Sequence, residues 1–175
     1  LEKAQPLEGS LEISREKHAF EVGDWMSTVE EAKSVFLKKG EPLKRRLQAG
    51  EPLVYEDYHD WRMALKHLDF CQCLVDGKMP VELIRFRVGP LALLFVPGEW
   101  FHRIGISLAE TRPPVSETIP AAWVTTLADF DLNYIPDPDS FSYTEWYGVS
   151  PRMRILSDAG IVDMIEASRQ LLEKE

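Results

Sequence analysis

The sequence predicts a mixed α/β fold of the α+β type, and three observations carry that reading. Two stretches alternate apolar and polar residues with a period of two, REKHAFEV at 15–22 and VELIRFRV at 81–88, as half-buried strands do. A third, LALLFV at 91–96, has no polar face and reads as a central strand covered on both sides. Around these, apolar residues recur at helical spacing, so helices and strands share one chain of 175 residues. That length suits a single domain or half-domain spanning 1–175, and a 45% hydrophobic content is enough for a core.

The first 13 residues form a loose lead-in to a strand with Lys17, Ala19 and Glu21 on one face and His18, Phe20 and Val22 on the other. STVEEAKSVF (27–36) then carries a capping-box pattern in which Ser27 caps the helix and Glu30 reaches back to it. Val29, Ala32, Val35 and Phe36 follow at helical spacing, Gly40 and Pro42 punctuate, and Gly50 with Pro52 ends the run. A second helix over about 55–75 puts Tyr58, Trp61, Leu65, Leu68 and Leu74 on a core-facing stripe, giving an αα-hairpin. VELIRFRV places Ile84, Phe86 and Val88 on one face, and Gly89-Pro90 turns the chain back into LALLFV as a β-hairpin.

From Glu99, residues Phe101, Ile104 and Leu108 repeat at helical spacing until Arg112-Pro113-Pro114. AAWVTTLA (121–128) reads as another strand. It leads into DFDLNYIPDPDSFSYTEWYG (129–148), too apolar for a linker and too rich in proline for a regular element, hence a long packed loop. Ser157 and Asp158 open a last helix through Ile161, Met164, Ile165, Ala167, Leu171 and Leu172. This order leaves a mixed sheet that must pack on more than the chain itself offers.

The formal charge of -9, from 29 acidic and 20 basic residues, argues against a nucleic-acid partner. Lys33, Lys38, Lys39, Lys44, Arg45 and Arg46 cluster among Glu30, Glu31 and Glu41 and read as a solvated helical face. Cys71 and Cys73 are too close in sequence for a mutual disulfide and lack a second pair for a zinc knuckle, so buried free thiols are expected. No run approaches the roughly 18 apolar residues of a membrane span, and no targeting segment opens the chain. The G-x-S-x-G, P-loop, G-x-G-x-x-G and H-E-x-x-H patterns are all missing from the sequence.

Glu99 is the sharpest candidate for chemistry. It follows a buried strand and Pro97-Gly98, at the sheet edge where α/β proteins place their sites. The bland reading is a carboxylate in the first turn of a helix, where the dipole favours it. Glu99 and His102 also make an E-x-x-H pair able to share a metal on one helical face. The loop adds Asp129, Asp131, Tyr134, Asp137 and Asp139, without the register of a calcium-binding loop; turn and capping roles are the simpler reading of its aspartates.

Two stretches together resemble the neutral/alkaline non-lysosomal ceramidase family, and more closely its many bacterial members of unassigned substrate. They are PVELIRFRVGPLALLFVPGEWFHRIG and LNYIPDPDSFSYTEWYG, the first holding Pro97-Gly98-Glu99 and Gly105, the second Tyr134-Ile135-Pro136-Asp137-Pro138-Asp139-Ser140-Phe141. The resemblance covers about residues 14 to 175 and implies a zinc-dependent amidohydrolase that cleaves the N-acyl bond of ceramide, a sphingolipid, or of another small amide. It implies Glu99 and Tyr134 as ligands of one zinc ion; Asp131, where the family has a first tyrosine, or His102 is then a candidate to assist around them. The family's two histidine ligands come from an N-terminal half, and His18, His59, His67 and His102 do not stand in matching contexts. The chain, which begins at Leu1 without an initiator methionine, is therefore expected to be the C-terminal half of a layered αββα-type sandwich, inactive alone and completed by that N-terminal half or by a separate subunit. The alternative is a non-catalytic subunit or degenerate relative acting as an interaction module.

Overall fold

A computed structural model describes residues 9–111, 122–128 and 131–174, which form a mixed α/β fold. Strands β1 (Leu11–Glu21), β2 (Lys78–Val88), β3 (Leu91–Phe95) and β5 (Ala122–Thr125) make a sheet in the order β1-β2-β3-β5. Its first three strands are antiparallel and β5 is parallel to β3. Helices α3 (His102–Ala109) and α4 (Asp158–Glu173) complete this unit, together with a two-stranded parallel ribbon of β4 (Glu99–Trp100) and β6 (Tyr134–Ile135). Residues Asp24–Gly77 form a second compact unit, the hairpin of α1 (Val29–Ala49) and α2 (Tyr55–Cys73). In the chain this hairpin is an insertion between two fully paired strands.

β1 begins at Leu11, inside the stretch expected to be a lead-in, because its register with β2 runs on to Val88. β2 turns the opposite face inward from the one expected. Its buried face is Met79, Val81, Leu83 and Arg85, whereas Ile84, Phe86 and Val88 are only half-buried. Both rows are apolar enough to be the inner one, and Arg85 marks the difference. It is 3% exposed, donates to the carbonyls of Leu171 (3.0 Å) and Lys174 and to Ser14 Oγ (3.1 Å), and so closes the C-terminus of α4. A cation suits those unpaired carbonyls at the negative end of a helix dipole.

β3 is central, as expected, and its two faces are buried to different degrees. Ala92, Leu94 and Val96 are fully buried, while Leu91, Leu93 and Phe95 are half-buried. The covered face carries α4, opened by Ser157, whose Oγ accepts from Gly160 N–H at 3.0 Å. Along α4, Ile161, Met164, Leu171 and Leu172 are fully buried. On the other face, Ile13, Phe86, Leu93 and Trp123 are successive register partners, an apolar row across all four strands. Ile13 and Trp123, at its ends, are each 53% exposed.

In the hairpin unit the cap shifts by one residue. Thr28 Oγ1 accepts from Glu31 N–H, and the Glu31 carboxylate accepts from Thr28 N–H at 3.0 Å, closing the capping box. Ser27 is occupied elsewhere, its hydroxyl 2.9 Å from His67 Nε2. α1 also runs unbroken through Gly40 and Pro42 to Ala49, since Ala32 and Leu43 are buried and packing overrides propensity. The basic residues of α1 lie on a mostly exposed face, two of them paired with α2: Lys39 with Asp60 and Arg46 with Asp57. Both cysteines are free, but only Cys71 is buried; two positions along a helix turn Cys73 to the exposed side. Tyr58, expected in the core stripe, is 46% exposed.

Candidate metal-ligating site

Glu99 does not start a helix. Gly98 adopts φ +81° and directs the chain into β4, where Glu99 N–H donates to the Asn133 carbonyl (2.7 Å) and Phe101 N–H to that of Ile135 (3.0 Å). A Cβ on Gly98 would lie 2.9 Å from the Asn133 oxygen and 3.1 Å from Leu132 and Ile135 side chains. Both the left-handed conformation and the close approach of β6 therefore require glycine here. Helix α3 begins at His102, after the ribbon, so Glu99 and His102 share no helical face and the dipole reading of Glu99 fails. Gly105 has no such steric demand, since a Cβ there would make ordinary contact with Val124 at 3.9 Å.

The partner strand comes from the segment expected to be loop. Asn133 takes φ +59°, with its N–H donating to Asp131 Oδ1 at 2.8 Å, and the chain then extends through Tyr134 and Ile135. In the ribbon Glu99 pairs with Tyr134 and Trp100 with Ile135. Side chains of register partners leave the same face, so Glu99 and Tyr134 stand side by side on one face of the ribbon. Trp100 and Ile135 form the buried face, and Trp100 Nε1–H donates to the Pro97 carbonyl at 2.7 Å. Glu99 is exposed and Tyr134 half-buried, as suits oxygen donors at a surface rim.

Burial raises the Tyr134 phenol above its ordinary value, and the nearby negative charge of Glu99, with smaller contributions from Tyr147 and Asp131, raises it further. The phenol is thus protonated at neutral pH, and a bound cation would be needed to favour phenolate. Tyr147, which sequence reasoning passed over, packs edge-on against Tyr134 with centroids 5.7 Å apart. Gly148 makes room for this corner: a Cβ there would sit 3.2 Å from the Phe101 ring and 3.4 Å from Tyr134. The aromatic density of TEWYG was the available signal.

The remaining candidates separate. His102 is exposed at the start of α3 and lines a groove with Trp100, Ile106 and Trp123. Asp131 is exposed and holds the turn before β6. Asp137 is buried and accepts from Ser140 Oγ at 2.8 Å, a turn role, while Asp129 lies outside the described residues. Among the described residues no group of three or more His, Cys, Asp or Glu side chains is placed to hold a metal ion. Nor is any helix among them long and apolar enough to cross a membrane. No family model matches the sequence, and no curated protein matches it.

Proposed function

We propose that this chain supplies the Glu99 and Tyr134 half of a zinc site for hydrolysis of an N-acyl amide bond, of the ceramidase type. The observation that carries the reading is their register pairing in the β4–β6 ribbon, which brings together two residues 35 positions apart. The donor set fits zinc in kind, since carboxylate and phenolate oxygens are hard anionic ligands, and falls short in number. A catalytic zinc keeps at least three protein ligands, so others must join these two, and the family resemblance implies two histidines from an N-terminal half or a separate subunit. When bound, zinc polarises the scissile carbonyl or lowers the pKa of a water toward neutrality. The chain's own part is positional. Gly98 and Asn133 fix the ribbon, Trp100 and Ile135 anchor it from beneath, and Tyr147 packs edge-on against the phenol ring.

The apolar row Ile13–Phe86–Leu93–Trp123 supports the same reading, because it offers a sheet face for the missing half to cover. That face also favours a second reading, a non-catalytic subunit docking through the sheet. The test uses the assembled protein, with zinc measured by mass spectrometry and hydrolysis by a fluorogenic N-acyl amide. Glu99→Gln and Tyr134→Phe should each lower turnover about 100-fold or more, with loss of zinc from Glu99→Gln. Wild-type turnover and zinc content in Glu99→Gln would overturn the catalytic reading, and an intact assembly without turnover would favour the subunit.

A further inference from the structure

The αα-hairpin holds a cavity of about 380 Å³ of its own, within the range of small-molecule sites. Its walls are Leu43, Leu47, Leu53, Tyr58 and Trp61, with Lys44 at the mouth. The two helices press together where α1 carries glycine: a Cβ on Gly40 would lie 3.2 Å from Trp61 Nε1 and 3.3 Å from its Cδ1. Gly40 and Trp61 themselves line the hollow, and Leu47, Leu53 and Tyr58, at 64%, 40% and 46% exposure, leave its mouth open. Such apolar side chains held open to water make burying an apolar ligand favourable.

Charge selects what enters. Two neighbouring cations of α1 are paired with α2, Lys39 with Asp60 at 2.5 Å and Arg46 with Asp57 at 3.2 Å. Lys44 alone among the lining residues is charged, and among the described residues it has no ion-pair partner. An apolar interior with one unpaired cation at its rim matches a ligand with an apolar body and a single anionic head. We propose that the hairpin binds a straight-chain carboxylate, its chain along Leu43, Leu47, Leu53, Tyr58 and Trp61 and its carboxylate on Lys44 Nζ. The site is independent of Glu99 and Tyr134 and stands whether or not they bind zinc.

Trp61 provides the readout. Dodecanoate brominated along its chain, titrated into the full chain below its micellar concentration, should quench tryptophan fluorescence saturably. Trp61→Phe should abolish most of that quenching while calorimetry still registers binding, because the apolar wall remains. Lys44→Glu, at an exposed position, should fold normally by circular dichroism and weaken binding about tenfold or more, the cost of a lost charge-assisted contact. Dodecyltrimethylammonium should bind more weakly to wild type than dodecanoate. Equal affinity for the two chains, or quenching unchanged in Trp61→Phe, would overturn the proposal. So would a dimer in sedimentation that Leu47→Glu dissociates, since a second copy would then cover the cavity.

Discussion

The two faces of the four-stranded sheet are made from alternate residues of the same strands, yet one is closed and the other open. On the closed face Met79, Leu83, Ala92 and Leu94 are fully buried, and Arg85 reaches the end of α4. On the open face the row Ile13–Phe86–Leu93–Trp123 crosses every strand, and its ends are half exposed. Composition alone does not separate them, since the closed face holds an arginine and the open one two aromatic rings in that row. What separates them is the covering helix. α4 takes one face because its N-terminus is tied to the end of β1, through Ser157 N–H to the Glu21 carbonyl (3.0 Å) and Gly23 N–H to that of Ile155 (2.9 Å). Among the described residues of this unit no helix is tied to the other face in that way, and an apolar row with exposed ends is what a binding surface offers.

The same substitution on each face tests this most severely. Leu83→Asp buries an unpaired carboxylate against α4 and should cost more than about 4 kcal/mol, enough to unfold the unit. Ile13→Asp, on the open face, should cost less than about 1 kcal/mol in urea denaturation. Equal losses would mean that both faces are core. Next in size is Gly160→Ala, at the closure of α4 on β1. Its Cβ would stand 2.2 Å from the Glu21 carbonyl oxygen, with no side chain able to yield. Alanine gains up to about 1 kcal/mol of helix propensity, but overpacking against backbone costs more, so the net loss should be about 2 kcal/mol. A stabilised Gly160→Ala variant would show that α4 does not press on β1.

How much of this was legible in the sequence depends on how far away each partner lies. The period-two stretches located β1 and β2, and Ser157 located the start of α4, because those signals are local. Which face of β2 turns inward was not local, since Arg85 is buried only because carbonyls at Leu171 and Lys174 await it. The stop at Pro97-Gly98 was legible, but β4 was not. Two residues make a strand only when Asn133 and Ile135 are there to accept from it, some 35 positions on. Glu99 and Tyr134 were named from a resemblance rather than from spacing, and no periodicity could have paired them. Tyr147 and Gly148 were missed because their role is to shape the ring beside them, a role that carries no pattern.

Arg85→Met sharpens the comparison at intermediate cost. The side chain keeps its length and apolar stem but leaves the Leu171 carbonyl, 3.0 Å away, without its donor. A lost donor to a buried acceptor costs about 1–3 kcal/mol, and the loss should appear as faster amide exchange in the last turn of α4.

The smallest expected effect is the one that decides whether the open face is a surface or a core. Ile13→Thr and Trp123→Ser each remove apolar atoms from positions that are 53% exposed. Neither leaves a closed cavity, so each should change the unfolding free energy of the chain by no more than about 0.5 kcal/mol. A core position would instead lose the transfer energy and the cavity energy together, at about 2 kcal/mol or more for such truncations. The same variants should bind less of a fluorescent hydrophobic dye than wild type, because the row they interrupt is the apolar ground on which the dye would sit. Small stability changes with reduced dye binding are the signature of a face kept apolar for a partner. A loss of several kcal/mol would mean that the face is already covered within the chain.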